Sequence, residues 1–518
     1  MNKCLFLLVL ILSLVNSLAG QEKRGYQWII GYDSSSLDSI GEAILLNFNE
    51  KPVSISKITS VDNFHMEGSN TSICDKEGNL LFYSNGCLVV NAAGEVMENG
   101  DSINPGLLQN SFCPYGGSPF IQAAIAVPAP GNESLYYLFN LDMDTPYEVI
   151  EDDSTGVIDT FGFLAIAPQR LYYQLIDMSL NDGLGVVVAK TQIAVQDTFA
   201  RGNIQAVRHA NGRDWWIVVP KSHSNCYFLV LITPDGIQPP QLKCSGHTWS
   251  DDDSGAQAVF SPDLEKYIRF NAWNGLNIFN FDNSTGDLSN PVQILFPNDT
   301  INYIAGVAVS PNSRFLYVCA RKRVYQFDLT ADHIESSKIQ VAEWDGTYNP
   351  YATIFYLAAL APDGKIYISS TSSTFNLHVI ENPDSMGLAC NLIQHGVILP
   401  SYNFATIPNI PHYCRSEEEC EVLINSTYEA VEEPLILTYP NPAKEEITFQ
   451  LKGAFGPAEQ SAVLRIYNAA GRLVFRQTLN PETPAFTWDV SGYQQGMYYY
   501  RLITAGGALA GGSFTVIK

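Results

Sequence analysis

AVFSPDLEKYIRF at Ala258–Phe270, followed by LNIFNFDNSTGDLSNPVQI, returns from Gly306 as GVAVSPNSRFLYVCA with VYQFDLTADHIESSKIQV behind it. It returns again from Ala358 as AALAPDGKIYISS with LHVIENPDSMGLACNLI. Each copy runs apolar strand, Pro-led turn, aromatic strand, then a third alternating strand. The turn prolines Pro262, Pro311 and Pro362 set a period of roughly fifty residues, which suits one four-stranded propeller blade. Proline presets φ for the turn, and the Asp or Asn after it can bond back to the backbone. Alternating Val, Ile, Tyr and Phe give each sheet two apolar faces that one sheet alone cannot bury, so the sheets must stack around an axis.

Weaker copies lie upstream. GNLLFYSNG at Gly78–Gly86 reads turn, strand, turn. AAIAVPAPGNESLYYLFNLD at Ala123–Asp142 repeats the pattern around Pro128, and AVRHANGRDWWIVVPKSHSNCYFLVLITPDG at Ala206–Gly236 uses Asn211-Gly212 as its turn. With the Leu171–Lys190 segment, these predict an all-β chain with six or seven blades, seven being favoured, over 21–413. Tyr26–Gly31 is expected to complete the last blade by pairing with the C-terminal repeat. A charged fraction of only 16%, with abundant Tyr, Phe and Gly, fits short strands and turns better than helical bundles.

The chain's first residues read as an export signal over 1–20. Lys3 is followed by the apolar run Leu5–Val15, too short to span a bilayer comfortably, and Ser17-Leu18-Ala19 forms a small-x-small site with cleavage near Ala19 or Gly20. Once that signal is removed, no other segment is long and apolar enough to cross a membrane, and no Cys follows the run to carry a lipid. Export through the periplasm permits disulfides among the nine cysteines that follow Cys4. Cys74–Cys87 and Cys414–Cys420 are the expected bridges. Cys319, inside an apolar strand, is expected to be a buried thiol.

The net charge of −24 argues against nucleic acid as a partner, because binding a polyanion needs clustered Lys and Arg. From Ile436 onward there are seven basic and five acidic residues, so the acidity belongs to the rest of the chain. Part of it crowds into 414–435, where Glu417–Glu419, Glu421, Glu429, Glu432 and Glu433 predict a solvated linker.

Beyond the linker, 436–518 carries alternating strands and Gly turns that predict a compact antiparallel, Ig-like sandwich of about seven strands. YPNP at Tyr439, Pro440, Asn441 and Pro442, the NAAGR turn holding Gly471, GMY at Gly496–Tyr498, and the terminal Lys518 occur in order. This string closely resembles the type A sorting domain of the type IX (Por) secretion system; Gly511-Gly512 departs from it, where the family often has a basic pair. The resemblance implies recognition by the outer-membrane translocon, cleavage in or near the linker, and release or attachment at the outer surface.

A second resemblance covers most of Tyr26–Tyr413. ICDKEGNLLFYSNGCLVVNAAGEVMENG at Ile73–Gly100, with AVRHANGRDWWIV, FNFDNSTGDLSNP and LAPDGKIYIS, is similar to exported propellers of the Bacteroidota, and the turns are similar to YVTN surface repeats. FATIPNIPHY at Phe404–Tyr413 looks like a degraded form of that family's final LPNF-type motif. The family implies no established activity.

No residue set reads as catalytic. His209 and Asp214 flank an Asn-Gly turn and are read as turn residues rather than an acid–base pair. His223, His247, His378, His395 and His412 show no metal-ligand spacing, and nucleophile-elbow and P-loop patterns are absent. Asp251–Asp253 raise the possibility of Ca2+, as do Asp142 and Asp144, yet none sits in an EF-hand order and solvated turns are favoured. Trp215, Trp216, Trp249 and Trp273 divide between blade packing and sugar stacking in a way that sequence does not sort. The favoured reading is a surface or secreted binding module for a glycan, peptide or matrix protein. Its rivals are a metal-dependent hydrolase or lactonase with acidic ligands on the propeller axis, and a structural part of a surface or motility assembly.

Overall fold

A computed structural model of the chain describes residues 22–36, 41–59, 61, 64–106, 109–114, 116–143, 168–249, 255–271, 273–296, 306–413, 436–451, 462–468, 473–479, 485–504 and 507–518. The expected export signal at 1–20 and the expected linker at 414–435 lie outside them.

Up to residue 413 the described residues form seven antiparallel sheets of three to five strands. The fifth sheet shows the plan: Gln257–Phe260, Lys266–Asn271, Gly275–Asp282 and Asp287–Ile294 pair in sequence order. The Pro turns work as their chemistry predicts. Asp263, Asn312 and Asp363 each accept a hydrogen bond from the backbone N–H two residues on, at 3.1 Å in all three sheets. A second device recurs after the third strands, where Asp177, Asp282 and Asp328 each accept the N–H and hydroxyl of a Ser or Thr two residues on.

From the second sheet to the seventh, the innermost strand is the first: Thr71–Cys74, Ala124–Pro128, Gln205–Arg208, Gln257–Phe260, Gly306–Val309 and Phe355–Leu360. Each packs against the next, and Gln27–Ser36 of the first sheet packs against Thr71–Cys74. Leu392–Asn403, the last strand of the seventh sheet, packs on all three strands of the first. Every neighbouring pair of sheets shares an apolar cluster, including seventh and first, where Trp28, Ile44 and Leu46 meet Leu357, Tyr367 and Val379. The result is a closed ring, a β-propeller. Burying both faces of every sheet in this way is what the two-sided apolar strands require.

Tyr26–Gly31 does not pair with the C-terminal repeat. Gln27–Ser36 ladders with Gly41–Asn47 of its own sheet. The last repeat is tied to this sheet by side chains instead: Gly31 N–H donates to Asn403 Oδ1 at 3.1 Å, and Glu42 N–H to Ser401 Oγ at 2.8 Å.

The disulfides are Cys87–Cys113 and Cys226–Cys244, not Cys74–Cys87. Cys74 sits at the closed end of its hairpin opposite Leu80, whereas Cys87 lies beyond Ser84 at the far end, opposite Thr71. A strand's length separates them, more than a disulfide can reach. Cys74, Cys319 and Cys390 are buried thiols. Cys414–Cys420 lies outside the described residues.

The described residues from 436 on form seven strands in two sheets, of three and four strands. Ile447, Phe449 and Trp488 of one sheet pack against Leu464, Tyr500 and Phe514 of the other.

Candidate functional site

The propeller axis is filled by the chain itself. After Asn403 the segment Phe404–Tyr413 leaves the seventh sheet and passes through the hub. Asn409 touches three innermost strands at once. Its N–H donates to Asn70 O, its Nδ2 donates to Ala124 O and Ile204 O, and its Oδ1 accepts from Gln205 Nε2 at 2.7 Å and Gln122 Nε2 at 3.3 Å. Gln122 also bridges to Ala258, and Gln257 to Val307 and Ala358, so buried amides tie the third sheet to the fifth and the fifth to the sixth and seventh. The axis therefore holds saturated amides where the hydrolase reading places acidic metal ligands. Among the described residues no three His, Cys, Asp or Glu side chains are grouped to hold a metal ion.

Two faces remain. On the lower face, where the innermost strands end, a small cleft of about 100 Å³ is lined by Tyr26, Trp28, Ala361, Pro362, Ile410 and Tyr413. Glu22 at its rim accepts from Arg24 Nε at 3.3 Å and from an Arg208 terminal nitrogen at 3.1 Å. Arg24 also donates to Tyr136 Oη at 2.9 Å, and Arg208 lies over the Trp215 ring. With Cys74 N–H donating to Arg24 O, this Arg–Glu–Arg set joins residues 22–24 to the second, third and fourth sheets.

On the upper face, where the innermost strands begin, aromatic rings gather. Tyr32 meets His65 edge-on at 5.7 Å and shares a hydrogen bond with Ser373 Oγ at 2.5 Å. Phe375 and Tyr402 pack at 4.2 Å. Burial pushes the nearby Glu67 carboxyl up from the usual range. The loop Trp344–Tyr351, WDGTYNPY, carries two rings that face solvent, Tyr348 at 66% and Tyr351 at 57% exposure, with Trp344 meeting Tyr348 edge-on at 5.6 Å.

The residues singled out in the sequence fall apart spatially or serve local turns. His209 and Asp214 meet through backbone, His209 N–H to Asp214 O at 2.9 Å. The Asp214 carboxylate is taken by Arg213 and Asn211, and Gly212 closes the turn at φ 70°. Asp142 is fully buried, not a solvated turn: it accepts from the backbone N–H groups of Gln169 and Arg170 and from the Arg170 guanidinium. Asp144 and Asp251–Asp253 lie outside the described residues. Trp215, Trp216 and Trp249 are buried packing residues, and Trp273 is exposed. Among the other histidines, His395 and His378 adjoin in the seventh sheet, with His395 Nε2 3.0 Å from Asp345 Oδ2. Two features went unread in the sequence. One is the Gln-Ala pair at Gln122-Ala123, Gln205-Ala206 and Gln257-Ala258, at the head of the innermost strand in the third, fourth and fifth sheets; the other is the aromatic density of WDGTYNPY.

In the C-terminal sandwich the motif residues hold the domain shut. The Asn441 side chain accepts the Thr515 N–H at 3.0 Å, Ala443 N–H donates to Thr515 O, and Ile517 N–H to Ala443 O. Tyr439 Oη donates to Gln450, and Tyr498 stacks on Phe514 and donates to Gln494 O. Gly496 takes φ 149°, and Lys518 Nζ donates to Ser491 O at 3.1 Å. Pro440 and Pro442 both follow cis bonds, and Gly471 lies outside the described residues. Residues 437–510 match the family described as the secretion system C-terminal sorting domain. The C-terminal unit is a secretion-system sorting domain. It marks the chain for the type IX secretion system, and hence for the cell surface or the medium.

No curated protein matches the chain. Among solved structures, a candidate 6-phosphogluconolactonase from Bacteroides uniformis is 13% identical, with 73% of this chain and 97% of that one covered and a TM-score of 0.41. One from Bacteroides fragilis is 11% identical over 74% and 97%, TM-score 0.39. A functionally unknown protein from Desulfotomaculum acetoxidans is 13% identical over 74% and 99%, TM-score 0.38. Likeness at this level bears on no activity. Among the described residues no helix is long and apolar enough to cross a membrane.

Proposed function

We propose that the propeller is a non-catalytic binding module, delivered by its sorting domain to the outer surface or the medium, where it engages a glycan, peptide or matrix component. The observation that carries this reading is the strap through the hub. Propeller chemistry at an axial metal needs convergent ligands and room for substrate. Here Asn409 and its amide partners take that place. The upper face instead offers solvent-facing rings, the usual means of holding a ligand without reacting with it. The test is saturable binding of the chain from Glu22 to Lys518 on glycan and surface-protein arrays, alongside lactone and ester turnover with and without chelator. Binding without turnover supports the proposal. Metal-dependent turnover would replace it with the hydrolase reading.

A further inference from the structure

The loop Trp344–Tyr351 is built more firmly than an exposed turn needs. On one side Asp345 accepts from Thr347 N–H at 2.9 Å and meets His395 Nε2 at 3.0 Å, its own N–H donates to Gln394 Oε1, and Gln394 Nε2 donates to Glu343 O. On the other side Asn349 Nδ2 donates to Asn376 Oδ1 at 2.8 Å, and Phe375 N–H donates to Asn349 O. Inside the loop, Asn349 N–H donates to Tyr351 O and Thr353 N–H to Thr347 O. Two elements of the seventh sheet thus clamp a loop whose tip presents two tyrosines that bury little of themselves. Exposing large rings on a rigid support gives no folding benefit, while it provides flat contact area at a low ordering cost.

We infer that this loop, with Trp344 behind it, is a recognition platform for an uncharged polysaccharide; the inference rests on the binding-module reading and narrows it. Three observations select that ligand class. The two exposed rings are flat and carry hydroxyls, and Trp344 backs one of them, which suits the mixed apolar and hydroxylated faces of sugar rings. The loop's backbone is already engaged, Asn349 N–H with Tyr351 O, Thr347 O with Thr353 N–H, and bridges joining Tyr348 to Ala352 and Pro350 to Thr374, which leaves little for an added peptide strand to pair with. Charge beside the loop is mixed, Glu343 lying 3.8 Å from Arg323 and Lys322 over the Trp344 ring, so the selection against a polyanionic glycan or nucleic acid comes from the −24 of the whole chain.

The test is affinity electrophoresis of the Glu22–Lys518 chain in gels containing uncharged polysaccharides (xyloglucan, mannan, starch, soluble cellulose derivatives), with alginate and heparin as anionic counterparts. The wild-type chain should be retarded by at least one uncharged polymer and by neither polyanion. Tyr348→Ala with Tyr351→Ala should weaken that retardation about tenfold or more at unchanged melting temperature, and Tyr→Trp at both positions should restore it. Leu388→Ala, removing a residue 77% exposed in the turn between the third and fourth strands of the seventh sheet, should leave it unchanged. Retardation that survives the double Ala change, or that falls equally in Leu388→Ala, overturns the platform while the binding-module reading stands. Binding only to polyanions or to peptide arrays overturns the ligand class. Failure to bind on any of these surfaces overturns both readings.

Discussion

Asn409 uses its whole side chain in the hub, two N–H groups on carbonyls of two sheets and one oxygen between two glutamines. Truncating it leaves buried carbonyls and amides without partners, at about 1–3 kcal/mol each. Asn409→Ala should therefore lower stability by about 3 kcal/mol or more, read as an earlier midpoint in urea. Asn409→Asp should be worse, because a carboxylate would face the Ala124 and Ile204 carbonyls. Gly306 shows the same tightness by another route. A Cβ there would lie 1.8 Å from Tyr356 O of the next sheet, so Gly306→Ala forces the sixth and seventh sheets apart. Overpacking typically costs about 1–3 kcal/mol, and a backbone clash this close belongs at the upper end; loss of soluble protein on expression would be the first sign. Gly306 was not legible as special, because a close approach to Tyr356, fifty positions on, leaves no local mark beyond a Gly. Asn409 lay in a motif that stood out in the sequence, but its partners more than two hundred positions away did not.

The hairpins were the most legible elements, since Pro-Asp and Pro-Asn turns act through contacts two residues away and the residues involved are adjacent in sequence. The disulfides were not, because Cys87 finds its partner in Cys113, directly after the short helical turn Gln109–Phe112, a placement that packing decides. Peptide mapping should find Cys87–Cys113 and Cys226–Cys244 cross-linked. Cys74, Cys319 and Cys390 should resist alkylation at about pH 8 until the chain is unfolded, burial having pushed the Cys74 thiol up to about 12. The seventh sheet also carries a pH dependence. His378 is buried between Phe355 and His395, and loss of solvent, followed by the neighbouring His395, pulls it down to about 3. An unfolded histidine titrates near about 6.5. Between these values only the unfolded chain takes up the proton, so stability is full above about 6.5 and falls as pH is lowered toward about 3. The drop in melting temperature from about pH 7.5 to about pH 4.5 should shrink in His378→Phe. An equal drop in both proteins would show that other groups set the acid limit, the carboxylates and His412, which burial pulls down to about 4, among them.

At the scale of the whole molecule, ring closure depends on residues that come last. A chain ending at Tyr413 keeps the strap and should fold with a cooperative melt. One ending at Asn403 loses Asn409 and the rings of Phe404 and Tyr413 and should not, as protease resistance and near-ultraviolet dichroism would report. Deleting 437–518 should leave the propeller folded but held in the periplasm, which cell fractionation measures. The sequence by itself determined the strand-and-turn repeat, the sorting motifs and the excess of acidic residues. Those rest on periodicity, local turn chemistry and net charge, all of which act between near neighbours or over the chain as a whole. Only the tertiary structure decided that Phe404–Tyr413 fills the axis, that Asp142 is buried, and that WDGTYNPY stands clamped at the surface. Each of those outcomes depends on which distant backbone groups are left needing a partner once seven sheets have closed into a ring, and that demand does not exist until the ring does.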